Sequence, residues 1–338
     1  WTMAKEHCFS GSAVVDWRNS AGFQTGQEKA LVAAFTDTGC GESLAFSNDR
    51  GRTWTYWEAN PVVKHQGRDP KLLWHAPTQK WVMAVYDEQG EGDATTRHIA
   101  FYTSPDLKQW EFQSRIEGWF ECPELFELSV DGGDTSRWVL LAADAQYAIG
   151  QFDGTTFTPE HTGKQRLHWG RYYASQTFSD ATGVKGGLAP DVPMADQRRI
   201  QIGWAQIEMK DMAFNQTMSF PSELSLRTTP DGIRLVGRPV KELEALHRGV
   251  QAGPLGRLAD AATPALQASS GLCRIRAEFA PAGAAAFGLT VGPDRFMYQV
   301  AENRLGDIPL PLSDGRSGLT SSSTDLSSRS SPTTGVPC

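Results

Sequence analysis

Apolar positions in the first two-thirds of the chain fall into short runs. "SAVVDW", "KALVAAF", "SLAFS", "KWVMAVY", "IAFYTS", "RWVLLAAD" and "RIQIGWA" are strand-length, and are either apolar throughout or alternate with polar positions. Gly, Asp, Asn and Pro separate them, and these residues favour turns. Long amphipathic helical patterns are absent from this part. The pattern predicts an all-β region built from many short strands.

A weak repeat runs through it. "FSNDRGRTWTYW" (Phe46–Trp57) resembles "YTSPDLKQWEF" (Tyr102–Phe112), and "QFDGTTFTPE" (Gln151–Glu160) is a looser third copy. Each is a strand, an Asp-containing turn and then an aromatic residue. Recurrence at roughly fifty-residue spacing is what radial β repetition produces, one four-stranded blade per repeat. The alternative is a set of unrelated hairpins that share turn chemistry.

The pattern then changes. "RPVKELEALHR" (Arg238–Arg248) is the best helical candidate, with Val240, Leu243, Leu246 and His247 at helical spacing. "GLCRIRAEFA" and "AAAFGLTVG" read as strands of a second all-β unit. From Gly318 onward the sequence is Ser/Thr-rich with no period. It has too little apolar surface to offset its ordering entropy, so disorder is expected over 319–338.

Composition narrows the function classes. A length of 338 residues suits one large domain or two ordinary ones. Lys and Arg total 32 against 39 Asp and Glu, and no basic patch stands out, which argues against nucleic acid and anionic membrane as partners. No apolar run approaches a membrane span. The 11 Trp give the chain many platforms for stacking on apolar faces. Cys8, Cys40, Cys122, Cys273 and Cys338 are scattered, odd in number and without metal spacing, so neither a disulfide framework nor a zinc site is expected. No cofactor motif is found: there is no P-loop, HExxH, GxSxG or dinucleotide Gly fingerprint. The first residue is Trp1 and no signal peptide precedes it, which fits a processed chain or a fragment.

Two acidic motifs could carry chemistry. "GRDPKLLWH" sets Asp69 beside Arg68, whose charge is expected to hold it ionised. "WFECPELFEL" sets Glu121 among Trp119, Phe120 and Pro123, and burial there would raise its pKa toward that of a general acid. Two carboxyls in contrasting environments suit glycosidic bond cleavage. Read alone, Arg-Asp-Pro is more often a turn, and an acid before Cys-Pro is more often a strand end.

"FSGSAVVD", "SNDRGRTW", "RDPK", "FYTSPDLKQW", "ECPELFEL", "YYASQTFSD" and "RRIQIGWA" occur in this order. Together they resemble glycoside hydrolase family 32, the fructan hydrolases: levanases, exo-inulinases and invertases. "FNQTMSFPSELSLRTTPDGIRL" resembles the last-blade segment of bacterial levanase-like members. The resemblance implies an all-β fold, a five-bladed β-propeller over 1–237 followed by a β-sandwich, here partial, over 249–318. Residues 238–248 would be the helical linker between them. It further implies a retaining mechanism on β-fructofuranosyl bonds in fructans or sucrose. By motif, Glu121 matches the acid/base and Asp69 the transition-state stabiliser, with Arg68 beside it. Phe9, Ser10 and Tyr173 match substrate contacts, and Trp204 is placed in the sugar platform or in the core. Cys122 fits a Glu-Cys pairing that tunes the acid. Polymeric fructans are met outside the cytoplasm, so a secreted or periplasmic location is expected.

The family's nucleophile lies on a Trp-Met-Asn-Asp-Pro-Asn-Gly type strand upstream of "FSGS". No such motif occurs in the 338 residues, and Asp16 belongs to "FSGSAVVD" itself. The expectation is a chain lacking most of its first blade and its nucleophile, and inactive alone on fructans. Two other readings remain open: a non-catalytic fructan-binding propeller and another five-bladed glycosidase such as an arabinan hydrolase. The latter would not match "RDP" and "ECP" together in this order.

Overall fold

A computed structural model describes residues 7–181, 198–209, 212–249, 272–280, 283–291, 294–310 and 317–324. The chain divides into two units, Trp1–Lys241 and Glu242–Cys338.

Among the described residues the first unit holds four antiparallel sheets. Sheet I comprises β1 (Cys8–Val15), β2 (Leu31–Asp37), β3 (Gly41–Ser47) and β4 (Thr55–Tyr56), paired in that order. Sheet II comprises β5 (Gly67–His75), β6 (Lys80–Gln89), β7 (Thr96–Ser104) and β8 (Glu111–Glu117). Sheet III comprises β9 (Glu124–Ser129), β10 (Ser136–Leu141), β11 (Gln146–Phe152), β12 (Phe157–Pro159) and β13 (Gln165–Arg166). Sheet IV comprises β14 (Tyr172–Ala181), β15 (Arg198–Ala205), β16 (Thr217–Met218), β17 (Ser222–Thr229) and β18 (Gly232–Pro239). Each sheet is a meander of near neighbours in sequence, which is how a propeller blade is built.

Cores form where successive sheets face each other. Val32 and Leu44 of sheet I pack with Met83 and Val85 of sheet II. Val82 and Phe101 of sheet II pack with Leu125 and Leu140 of sheet III. Phe126 and Ile149 of sheet III pack with Leu226 and Leu235 of sheet IV. The first strands of the sheets converge: Ser12 Oγ of β1 donates to Pro70 O and accepts from the Leu72 amide of β5, both at 2.8 Å. Gln176 of β14 reaches Gly11 O of β1 at 3.0 Å.

The sequence repeat occupies one structural position, the turn between the third and fourth strands of sheets I, II and III. In each copy an Asp carboxylate collects backbone amides. Asp49 takes Thr53 N at 2.8 Å, Asp106 takes Lys108 N and Gln109 N at 2.9 and 2.8 Å, and Asp153 takes Thr155 N and Thr156 N at 2.7 and 2.8 Å. In the first two copies the following Trp donates its indole N–H back to the turn, Trp54 to Gly51 O and Trp110 to Leu107 O. The third copy has Phe157 there, buried instead in the core shared by sheets II and III.

The helical candidate at Arg238–Arg248 takes a different form. Arg238 and Pro239 finish β18, paired with Glu223 and Ser222 of β17. Lys241–Leu246 is a short 3-10 helix with no buried residue, so it has no buried apolar face to support longer α-helical growth.

In the second unit β19 (Leu272–Phe279) pairs with β24 (Ser317–Thr324). A separate meander joins β20 (Ala286–Val291), β21 (Asp294–Gln299), β22 (Arg304–Leu305) and β23 (Ile308–Pro309). Tyr298 is buried in it, with Phe287 stacked 5.0 Å away and its hydroxyl donating to Leu310 O at 2.8 Å. Residues 319–324, within the segment expected to be disordered, lie in β24. A strand needs a hydrogen-bonding partner more than apolar content, and β19 supplies one. The rest of that segment, 325–338, lies outside the described residues, as do residues 250–271 of the expected sandwich.

Candidate active site

Arg68, Asp69 and Pro70 open β5 as a bulge rather than a turn. The register with β6 slips between Arg68 and Lys71, and Asp69 has φ +68°. Pro70 has no N–H, so placing it in the bulge forfeits no ladder bond. The left-handed backbone carries Asp69 inward, where it is 6% exposed. Its amide donates to Thr36 Oγ1 of β2 at 2.9 Å, and its Oδ2 accepts the Cys122 amide at 3.0 Å and lies 3.6 Å from the Cys122 thiol. Burial pushes the Asp69 carboxyl above its ordinary pKa, against the Cys122 amide and the Arg68 charge. The Arg68 charge does favour the ionised form of Asp69, as expected, but it is not the largest influence on that carboxyl. Desolvation outweighs the neighbouring charge, and the Arg68 guanidinium is turned toward Glu121.

Glu121 and Cys122 both lie in the left-handed region, at φ +44° and +42°. Two such non-glycine residues in a row cost of order 1–3 kcal/mol each and persist only where surroundings hold them. Here the Ala143 amide donates to Glu121 O at 3.1 Å, and the β9–β10 ladder begins at Glu124. The apolar neighbours in sequence do not enclose the carboxyl. Trp119 is buried in the core of sheets II and III, and Phe120 packs edge-on to Tyr86 at 5.1 Å. The carboxyl instead meets the Arg68 guanidinium, whose Nε donates to Oε1 at 3.0 Å, and the Tyr173 hydroxyl, which donates to Oε2. Its side chain keeps 19% exposure, so solvent and ligand can reach it. Arg68 is itself seated over the Tyr86 ring at 4.9 Å.

Burial and the nearby Asp69 raise the Cys122 thiol well above its usual pKa, so it stays a neutral weak donor. Burial and the Glu121 hydrogen bond likewise raise the Tyr173 phenol, keeping it a donor. Trp204 of β15 stands 6.4 Å from the Tyr173 ring in an edge-on arrangement and is 37% exposed. Phe9 and Ser10 are exposed near the start of β1, Phe9 at 48%, and no described hydrogen bond joins either to the two carboxyls. The structure thus brings Arg68, Asp69, Glu121, Cys122 and Tyr173 into one connected group. Trp204 lies at its edge.

Sequence reasoning missed the layer beneath. Lys71 follows Asp69 by two positions and Glu124 follows Glu121 by three. Their side chains meet, Nζ to Oε1 at 2.9 Å, with Lys71 Nζ also on Thr177 O of β14 at 3.0 Å. Thr177 Oγ1 donates to Glu124 and accepts from Arg199 of β15 at 3.3 Å. All four side chains are buried. A signal was present: a Lys and a Glu each open an apolar strand run, in "KLLWH" and "ELFEL". Among the described residues no cluster of His, Cys, Asp or Glu is placed to hold a metal ion, and no helix is long and apolar enough to cross a membrane.

Radial sheets whose first strands bring two carboxyls together define a β-propeller of the glycoside-hydrolase type. Residues 2–239 match the Glycosyl hydrolases family 32 N-terminal domain, and the chain belongs to that family. It is 37% identical over 319 residues to a levanase of Bacillus subtilis, covering 84% of this chain and 44% of the relative. It is 30% identical over 288 residues to an extracellular exo-inulinase of Aspergillus niger, covering 69% of this chain and 51% of the relative. The chain thus spans about half the length of these relatives. The solved exo-inulinase of Aspergillus awamori shares the fold, with a TM-score of 0.72 and 22% identity, covering 93% of this chain and 74% of that one. The family fold is a five-bladed propeller, and the four sheets of the first unit are blades of it.

Proposed function

We propose that this chain carries the acid/base and the transition-state stabiliser of a glycosidase acting on β-fructofuranosyl bonds in fructans or sucrose. One observation carries the reading. Glu121 is gripped by Arg68, from the same segment as Asp69, while Asp69 accepts the amide of Cys122, next to Glu121. The two acids therefore act on one bound sugar. Glu121 protonates the leaving oxygen, and Tyr173 and Arg68 orient its carboxyl. Asp69, ionised, accepts hydrogen bonds from fructosyl hydroxyls that strengthen as positive charge develops on the ring. Phe9, Ser10 and Trp204 flank the sugar. The levanase and exo-inulinase names of the relatives support the substrate class, and the word extracellular in one of them supports a secreted or periplasmic location.

A retaining reaction needs a second carboxyl roughly 5–5.5 Å from the acid, as nucleophile. Asp16 is unsuited to it: its carboxylate is buried and holds Ser20 N, Ser20 Oγ and Ala21 N at 2.9, 3.0 and 2.8 Å. The reading places the nucleophile on a segment outside these 338 residues. The same observation favours a second reading, a propeller that binds fructans without cleaving them. Fructose release from levan separates the two. The chain alone should release none, and a family first blade supplied ahead of Trp1 should start release. In that form Glu121→Gln should lower release by roughly 10²–10⁴-fold, the usual range for general acid catalysis. Steady release by the unmodified chain, abolished by Glu121→Gln, would mean another nucleophile exists. Binding with no release from the completed form would favour the second reading.

A further inference from the structure

A buried ionic group outside the site points back into it. His65, in the link between sheets I and II, has a side chain 5% exposed. Its Nε2 lies 2.8 Å from Glu42 Oε1 and its Nδ1 lies 3.1 Å from Asp87 Oδ1. Glu42 and Asp87 are both 0% exposed. Burial raises the Glu42 pKa, and its bonds to His65 and Thr36 oppose that rise; with both carboxyls ionised, both ring nitrogens donate and the ring is a cation. Glu42 also accepts the Thr36 hydroxyl, at 3.0 Å to Oε2. That hydroxyl has one proton. With that proton directed at Glu42, the hydroxyl is oriented so that a lone pair accepts the Asp69 amide at 2.9 Å. The chain of bonds therefore has one direction, from the His65 cation through Glu42 and Thr36 to Asp69.

The surroundings fix the ring. A Cβ on Gly67 would lie 1.9 Å from Tyr86 O and 2.8 Å from His65 Cε1, so only glycine there leaves room for both strand and imidazole. Asp87 is further held by Gln89 Nε2 at 2.8 Å and faces Arg115 Nε at 3.4 Å, and the Tyr102 ring stands 6.4 Å from the imidazole. Glu42, Asp87, Arg115, Tyr102 and, beyond Thr36, Asp69 are the titratable or charged groups around His65. Burial alone would lower its pKa, but the hydrogen bonds and charges of Asp87 and Glu42 prevail and raise it to about 9.

We propose that His65 is a positioning residue, which holds Glu42 against Thr36 so that the Thr36 hydroxyl is set to receive the Asp69 amide and keep Asp69 in its left-handed, inward-facing conformation. This rests on the reading that Asp69 holds the sugar. Neutralising the ring releases Glu42, frees the Thr36 hydroxyl to turn, and removes the acceptor that fixes the bulge.

The test is carbon-13 NMR of the full chain, following the His65 ring and the Asp69 Cα across pH 7 to 10, together with titration of the trisaccharide 1-kestose. The Asp69 Cα shift should move with the same midpoint as the ring, about 9. Thr36→Val should show the displaced Asp69 shift already at pH 7, and Thr36→Ser, which keeps the hydroxyl, should restore it. His65→Gln should behave as Thr36→Val, and each should weaken 1-kestose binding roughly tenfold, as expected when one buried hydrogen-bond partner is removed. An Asp69 shift that ignores both the ring titration and Thr36→Val would overturn the proposal, even if binding fell. If Asp69→Asn leaves 1-kestose affinity unchanged, the functional reading fails separately, and the NMR arm still decides the positioning.

Discussion

Arg68–Lys71 and Glu121–Glu124 are built alike and used differently. Each opens the first strand of a sheet with left-handed backbone, a Pro, and then a charged residue that plunges beneath the site, where Lys71 and Glu124 meet. Above this shared base the two carboxyls part. Asp69 is inside a strand bulge, buried, with an amide for a partner and a raised pKa. Glu121 lies ahead of its strand, half-buried, held by a guanidinium and a phenol. One scaffold thus gives one acid a fixed, desolvated place and the other an accessible, hydrogen-bonded one. That separation suits the different roles proposed for the two carboxyls.

The comparison breaks hardest at the acids themselves. In a hydrolytically complete form, Glu121→Gln should cut fructose release roughly 10²–10⁴-fold. Asp69→Asn should be comparably severe, because it removes charged acceptors that strengthen in the transition state. Near-full turnover in either variant, measured by fructose release, would reverse that residue's assignment.

The shared base comes next. Lys71→Ala leaves Glu124 buried without its ammonium partner and should destabilise the first unit by about 3–5 kcal/mol in denaturant unfolding. Lys71→Met with Glu124→Leu removes both charges and should be milder. If the single variant is no worse than the pair, the buried ion pair is not what joins the two segments.

His65 gives a pH signature of similar size. Its folded pKa of about 9 exceeds its ordinary 6.5, so its contribution is fully present below pH 6.5 and is lost as pH rises through 9. The linked loss is at most about 3 kcal/mol, seen as falling thermal stability over that window. His65→Gln should flatten that part of the profile.

Tyr173→Phe should do least. It deletes one donor to the Glu121 carboxylate, worth about 0.5–1.5 kcal/mol. Fructose release by the completed form should fall severalfold, and unchanged release would mean that Tyr173 does not orient the Glu121 carboxyl.

Much of the first unit was legible because its strands announce themselves locally. "KWVMAVY" and "RWVLLAAD" are apolar runs bounded by turns, and both sit in sheet interiors as β6 and β10. The Asp-turn repeat was visible because each copy closes on amides two to four residues away. What sequence hid was bent or non-local. β5 reads as a turn because Asp69 is bulged and Pro70 follows it. Lys71 reaches Glu124 across 53 residues and Thr177 across 106, and Thr36 reaches Asp69 across 33, distances at which no local pattern speaks. The pairing of Arg68 with Glu121 rather than with adjacent Asp69 is of the same kind, set by how two blades meet.

The most direct measurement of the central claim is calorimetric titration of the chain with 1-kestose, in parallel with Asp69→Asn and Glu121→Gln. If Asp69 holds the fructosyl unit and Glu121 acts on the leaving oxygen, Asp69→Asn abolishes measurable binding and Glu121→Gln leaves the affinity within a few-fold. Equal affinities for all three proteins, or loss on Glu121→Gln with retention on Asp69→Asn, would contradict the division of roles between the two carboxyls.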